Sequence, residues 1–247
     1  MSGHSKWSTI KRKKEKTDNQ RAKIFTKIGR EIAVVVREGG PDPASNSKLK
    51  DVIAKAKANN VPNDNIERTI KKASGDAGGV NYEVIIYEGY GPSGVAVIVE
   101  TTTDNRNRTG ADMRHYFDKF GGNLGQTGCV SYMFSDKGVI VVEEDMANEE
   151  KLMEDALEAG AEDITGEEGV FEITTQPSDF SAVTEALTQK GYKIVSAEQS
   201  KVPANYVTLT DEDDIKNMTK LLDMFENVKN TTHCSTGCGG CYEKVIA

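Results

Sequence analysis

The hydrophobic period of this chain changes at the run Gly75 to Gly79: apolar residues recur at helical spacing before it and alternate after it. A helical period does not settle in a sheet, nor an alternating one in a helix, so the two stretches build different layers. From Arg21 to Glu38 the apolar residues Phe25, Ile28, Ile32, Val35 and Val36 form one stripe, and Gly39, Gly40 and Pro41 stop the helix. A second helix runs from about Ser47 to Asn59 with Leu49, Val52, Ile53 and Ala56 inward, and Pro62 breaks it. Asp64 and Glu67 have the spacing of a capping box for a third helix, with Ile66, Ile70 and Ala73 on its inner face. Three short amphipathic helices make a small bundle, and the small residues from Gly75 to Gly79 make a linker.

Beyond the linker, Tyr82 to Tyr87 and Val95 to Thr101 read as strands joined by a Gly- and Pro-rich turn. A helix from about Thr109 to Phe120 and a strand from Cys129 to Phe134 follow. Residues 138 to 201 then carry the order βαββαβ: Val139 to Val142, Glu149 to Ala159, a short strand near Ile164, Val170 to Thr175, Asp179 to Lys190, and Lys193 to Ala197. That order is ferredoxin-like, with Ser178 a suitable N-cap and Gly191 a suitable stop for its second helix. A strand from Tyr206 to Leu209 and a helix opened by Thr210 remain, and they complete the unit begun at Tyr82 if the ferredoxin-like part is an insertion. The expected fold is therefore multi-domain, α and α+β. Its expected divisions are 1–79 as a basic helical domain, 80–137 plus 204–247 as an α+β middle domain, and 138–203 as the insertion.

Charge divides the chain at the same place. The first thirty residues hold ten Lys or Arg against Glu15 and Asp18, although the whole chain of 247 residues is at −8. Residues 1–79 carry 18 basic and 9 acidic side chains, whereas 80–247 carry 13 and 30. A basic arm on an acidic body is the footprint of a protein that meets nucleic acid through one domain. The candidate contacts are Lys6, Trp7, Lys11, Arg12, Lys13, Lys14, Lys16, Arg21, Lys23, Lys27 and Arg30. Cations this dense release counterions on binding, which makes affinity steeply salt-dependent. A merely solubilising face is the plainer reading of a charge run, weakened here because the sign opposes that of the body. His4 and Trp7 suit stacking on a base or ribose, and Trp7 suits equally well an anchor to the bundle. With no helix-turn-helix, zinc-finger or RNA-recognition signature, backbone contact without a base code is expected. The acidic domains are left to repel nucleic acid or to meet a protein partner.

Arg106 and Arg108 open a helix where two guanidinium groups and backbone N–H groups suit an anion, although Asn105 and Thr109 suit simple capping as well. The glycines at 89, 91 and 94 lack the Lys and Ser or Thr of a nucleotide-binding loop and read as a turn. His233, Cys234, Cys238 and Cys241 supply four N or S ligands within nine positions, enough for zinc, or else form a tail of free thiols on a Gly-rich end. The three histidines fall in different contexts and no nucleophile has a nearby base, so no enzyme activity and no cofactor are expected. Four cysteines, three of them in the last fourteen residues, suit a reducing compartment. Without a signal-like or membrane-spanning apolar run, a cytoplasmic location is expected.

Several blocks resemble the YebC family of transcriptional regulators and translational activators. They are Ser2-Gly3-His4-Ser5-Lys6-Trp7, Gly40-Pro41-Asp42-Pro43, Asn60-Val61-Pro62 with Asn65-Ile66-Glu67-Arg68, Glu88-Gly89-Tyr90-Gly91-Pro92, Thr103 to Thr109 with Arg114-His115, and Gly121 to Gly125. The resemblance spans Met1 to about Asn227. It implies a helical N-terminal domain, an α+β middle domain and a ferredoxin-like domain inserted in the middle one. It also implies a DNA-binding regulator of transcription, or alternatively a ribosome- or RNA-associated translation factor, with nucleic acid as the shared partner. The cysteine cluster departs from the family pattern.

Overall fold

The computed structural model describes residues 18–75, 81–143, 149–167, 169–228, 231–236 and 238–239. Three helices come first: α1 (Asp18–Gly39), α2 (Ser47–Ala58) and α3 (Asn63–Ser74). Their core is the predicted stripe, with Ile28, Ile32, Val36, Leu49, Ala56, Val61 and Ile66 buried together. Asn46 caps α2 by accepting from the Leu49 amide, and its own Nδ2 donates to the carbonyls of Val35 and Gly40, so one buried amide fixes the α1–α2 corner. The expected capping box of α3 is not formed. The helix starts two residues earlier, at Asn63 after Pro62, whose ring fixes φ at −58° and which offers no side-chain cap.

The middle sheet takes β1 (Glu83–Tyr90), β2 (Ala96–Thr103), β3 (Asn123–Leu124) and β9 (Thr231–Thr236) in the order β3-β1-β2-β9. β1 and β2 are antiparallel from Glu83 opposite Thr103 to Tyr90 opposite Ala96. Two helices line this sheet, α4 (Arg106–Lys119) and α7 (Glu212–Asn227), and the rings of Phe117 and Phe225 meet at 5.1 Å between centroids. Gly89 permits this closeness, since a Cβ there would lie 3.0 Å from the Phe117 ring and 2.5 Å from the Asn123 carbonyl. Asp211 caps α7 by accepting from the amides of Asp213 and Asp214, one residue beyond the expected Thr210.

The expected strand from Cys129 to Phe134 is replaced by a 3₁₀ turn, Ser131–Met133, with the next strand starting at Phe134. Its amides go elsewhere: the buried Glu88 carboxylate accepts from Gly128, Val130 and Ser131 at 2.8 to 2.9 Å. The chain end also differs from expectation, because residues 231–236 form β9 beside β2, with Ser235 opposite Ile98 and Cys234 opposite Val99.

The second sheet comprises β4 (Phe134–Glu143), β5 (Ala161–Glu167), β6 (Val170–Thr175) and β7 (Ile194–Pro203), with α5 (Glu149–Ala159) and α6 (Phe180–Gln189). All its pairs are antiparallel in the order β5-β6-β4-β7, the ferredoxin-like arrangement. Leu152, Ala156, Val183 and Leu187 pack on Ile140, Val142 and Ile173. α6 begins after Asp179 rather than at a Ser178 cap, and Gly191 follows it at φ +87° as expected of a stop. Asp155 accepts from Lys190 at 2.7 Å and from the Tyr192 hydroxyl at 2.6 Å, and burial together with this carboxylate pushes the Tyr192 phenol up to about 12. A two-residue pair, β8 (Val207–Thr208) with β10 (Cys238–Gly239), is parallel. The described residues divide into two compact units, one of 18–132 and 209–236, the other of 133–208 with 238–239.

Candidate nucleic-acid interface

A helix whose apolar stripe faces its own bundle carries its other residues on the reverse side, and on α1 that reverse side bears Lys23, Lys27 and Arg30 at i, i+4 and i+7. These cations do not project freely. Lys27 Nζ donates to the Glu226 carbonyl at 2.7 Å and Lys23 Nζ to Asn227 Oδ1 at 3.1 Å, both at the C-terminus of α7. Arg30 lies over the Tyr82 ring, 5.3 Å from its centroid. The last turn of α7 has no basic residue of its own, so α1 brings the positive charge that its carbonyl end attracts. Three of the eleven candidate contacts therefore hold the bundle to the rest of its unit. Lys6, Trp7, Lys11, Arg12, Lys13, Lys14 and Lys16 lie outside the described residues, and Arg21 sits in the first turns of α1.

The outer faces of α2 and α3 behave differently. Lys50, Lys57, Arg68, Lys71 and Lys72 are exposed, and none meets a carboxylate among the described residues. Their bundle neighbours are engaged: Lys48 with Glu38 at 3.2 Å and Lys55 with Glu31 at 2.9 Å. Over 18–75 the chain has twelve Lys or Arg against seven Asp or Glu, and at the exposed positions of α2 and α3 these five cations and Lys48 stand against Asp64 and Glu67. Their signal in the sequence is the recurrence of Lys or Arg at solvent-side positions of two amphipathic helices, positions they share with Ser47, Ala54, Asp64 and Glu67.

At the start of α4 the side chain of Asn105 accepts from the Arg108 amide, which is capping. Both guanidinium groups face carboxylates, Arg108 meeting Asp104 at 2.5 Å and Arg106 meeting Glu83 at 3.5 Å. The cysteine cluster is divided between strands: His233 and Cys234 belong to β9, Cys238 to β10, and Cys241 lies outside the described residues. Among the described residues no group of three or more His, Cys, Asp or Glu is placed to hold a metal ion. Cys129 sits beside Glu88, and its thiol is pushed up by burial and by the neighbouring carboxylate. Glu88 itself would be raised by burial, but the three amide donors outweigh that and hold it below the usual glutamate range. No helix among the described residues is long and apolar enough to cross a membrane.

Comparison with known proteins matches both parts of this architecture. The model of the TACO1/YebC protein N-terminal domain matches residues 5–76, and that of the TACO1/YebC second and third domain matches residues 82–236. A "Probable transcriptional regulatory protein" of Ruminiclostridium cellulolyticum is 64% identical over 229 residues, covering 92% of each chain. One of Acetivibrio thermocellus, with the same name, is 62% identical over 237 residues, covering 94% of this chain and 98% of that one. The crystal structure of a conserved hypothetical protein from Aquifex aeolicus superposes with a TM-score of 0.83 at 45% identity, covering 90% of this chain and 92% of the other. With the helical bundle, the middle sheet and the inserted ferredoxin-like sheet all accounted for by these matches, the chain belongs to the TACO1/YebC family.

Proposed function

We propose that the protein is a DNA-binding transcriptional regulator that grips nucleic-acid phosphates through its basic N-terminal domain. The observation that carries this reading is the set of five exposed cations on α2 and α3 that meet no carboxylate among the described residues, in a chain whose remaining domains are strongly acidic. The name of its relatives supports regulation of transcription as the outcome of that contact. In sequence, Lys11, Arg12, Lys13 and Lys14 add four further cations to the same domain. A second reading is an RNA- or ribosome-associated translation factor using the same cations. Replacing the four arm cations together with Ala tests the shared step: duplex DNA binding weakens and its logarithmic salt slope falls by up to about 3.6. An unchanged slope removes the arm from the interface.

A further inference from the structure

The middle sheet has an edge that nothing among the described residues pairs. β2 follows β1 along its whole length on one side, but on the other β3 reaches only Gly89 and Tyr90. Just beyond that contact the Glu88 carbonyl accepts from the Gly125 amide at 2.8 Å, and at the far end Tyr82 lies under Arg30. Glu83 to Tyr87 are left between them as bare edge. Backbone polar groups alternate in direction along an antiparallel strand, so Glu88 sets the sense for this window. Val84 and Ile86 point outward with it, whereas the Ile85 carbonyl turns inward and accepts from Thr101 Oγ1 at 3.0 Å. The outward N–H and C=O groups of Val84 and Ile86 meet no partner among the described residues, and their side chains are 51% and 40% exposed. Edge strands are ordinarily guarded by charge, proline or a bulge. β5, an outer strand of the second sheet, carries Glu162, Asp163 and Glu167 and a break in register against β6. β1 pairs with β2 without a break, and Glu83 is the one charge in its window.

We propose that this window is a docking edge for a second copy of the chain, joined antiparallel about a two-fold axis at Ile85. In that register Val84 of each copy lies opposite Ile86 of the other, and their outward groups exchange backbone hydrogen bonds on both sides of the axis. Residues opposite one another in an antiparallel pair point to the same face, so the four exposed aliphatic side chains close into one patch. Glu83 comes opposite the second copy's Tyr87. The Tyr87 hydroxyl donates to the Arg106 carbonyl at 3.4 Å, and within one chain the Arg106 guanidinium stands 3.5 Å from Glu83. Each copy therefore brings a carboxylate toward the other's guanidinium and phenol, and one register satisfies the charges together with the apolar pairing. Gly125 and Arg30 bound the window at its two ends, and its centre is Ile85, so the same window of a second copy matches it in length and centre. An interface this short belongs to the transient class, below about 1,200 Å² of total buried area, so the dimer is reversible and forms as concentration rises.

Val84→Lys with Ile86→Lys sets like charges opposite one another across the axis. Both side chains are exposed, so the fold is expected to survive, checked by melting curves. Sedimentation equilibrium of the full chain in reducing buffer, from about 2 to 200 µM, is expected to show the natural protein passing from monomer to dimer, and the double variant with a dissociation constant about tenfold higher or more. Ile85→Cys reports the register. A residue on the axis faces its own counterpart in a non-hydrogen-bonded pair, with Cα atoms about 4.5 Å apart, which suits a disulfide. Tyr87→Cys faces the second copy's Glu83 instead and lies about 14 Å from its own counterpart. Oxidation with copper phenanthroline is therefore expected to join two Ile85→Cys chains at the introduced thiols, identified by peptide mass, and to leave Tyr87→Cys chains unjoined there. A natural protein that stays monomeric over the whole range overturns the proposal, as does a double variant that dimerises as tightly as the natural chain. Linkage at Tyr87→Cys equal to that at Ile85→Cys, or absent from both, overturns the two-fold register.

Discussion

Replacing Lys50, Lys57, Arg68, Lys71 and Lys72 together with Gln separates a nucleic-acid surface from ordinary helix electrostatics. Gln keeps nearly the helix propensity of Lys and Arg, so backbone preference is unaltered. The other role these cations can have is compensation of helix dipoles: Lys57 lies in the last turn of α2, and Lys71 and Lys72 in that of α3. Losing all three in that role costs about 1–3 kcal/mol at low salt. Binding predicts something larger and of a different form. Each phosphate contact adds about 0.9 to the logarithmic salt slope on duplex DNA, so five add up to about 4.5. Between about 50 and 200 mM salt that slope corresponds to roughly 500-fold in affinity, a fall the natural protein suffers and the variant escapes. Fluorescence anisotropy with a labelled duplex over a series of KCl concentrations measures it, alongside thermal melts at the same salts. A slope changed by less than about 1, the equivalent of a single contact, accompanied by a lowered melting temperature would refute the reasoning and return these residues to dipole compensation.

Lys23→Gln with Lys27→Gln is expected to do the reverse, lowering stability by about 1–3 kcal/mol in denaturant titrations through loss of the contacts at the end of α7, while the salt slope of binding stays put; unaltered stability would show that those contacts hold nothing. Glu88 makes stability depend on pH: its folded pKa lies below the ordinary 4.5, so its contribution is complete above the unfolded value and drains away as pH falls through the folded one. Glu88→Gln is expected to lose about 2–4 kcal/mol at neutral pH and to flatten the acid limb of the stability profile, and a limb as steep as that of the natural protein would assign acid sensitivity to other carboxylates.

The bundle core was legible because a period of 3.6 leaves little choice: Ile28, Ile32, Leu49, Ala56 and Ile66 are where the stripe put them. The ferredoxin-like order was legible for the same reason, since Ile140, Ile173 and Leu187 alternate or recur as strands and helices require. What failed to show were interactions carried by polar groups over long separations. The loop at 128–131 satisfies its amides on Glu88, some forty residues earlier, and no local pattern announces that a carboxylate will replace a strand ladder. β9 reads as a polar tail, Thr-Thr-His-Cys-Ser-Thr, yet Thr231 and Ser235 are buried because β2 has a second edge to pair.

The cations of α1 show where such a gap can be narrowed. Net charge says how many positive groups a segment has and nothing about where they point; direction comes from the helical phase, and the stripe through Phe25, Ile28 and Ile32 already implied that Lys23, Lys27 and Arg30 occupy the reverse face. Whether that face meets solvent or protein depends on another element. α7 announced its half of the answer, with Glu212, Asp213 and Asp214 in its first turn and no base in its last, a helix supplied with charge at one end only. A surplus of cations on one helix and an uncompensated carbonyl end on another are complementary, and Lys27 on the Glu226 carbonyl is how they meet. Weighed together, the two patterns divide the basic residues of the domain into those that fasten it and those left to reach outward, on α2 and α3, a division that net charge alone does not contain.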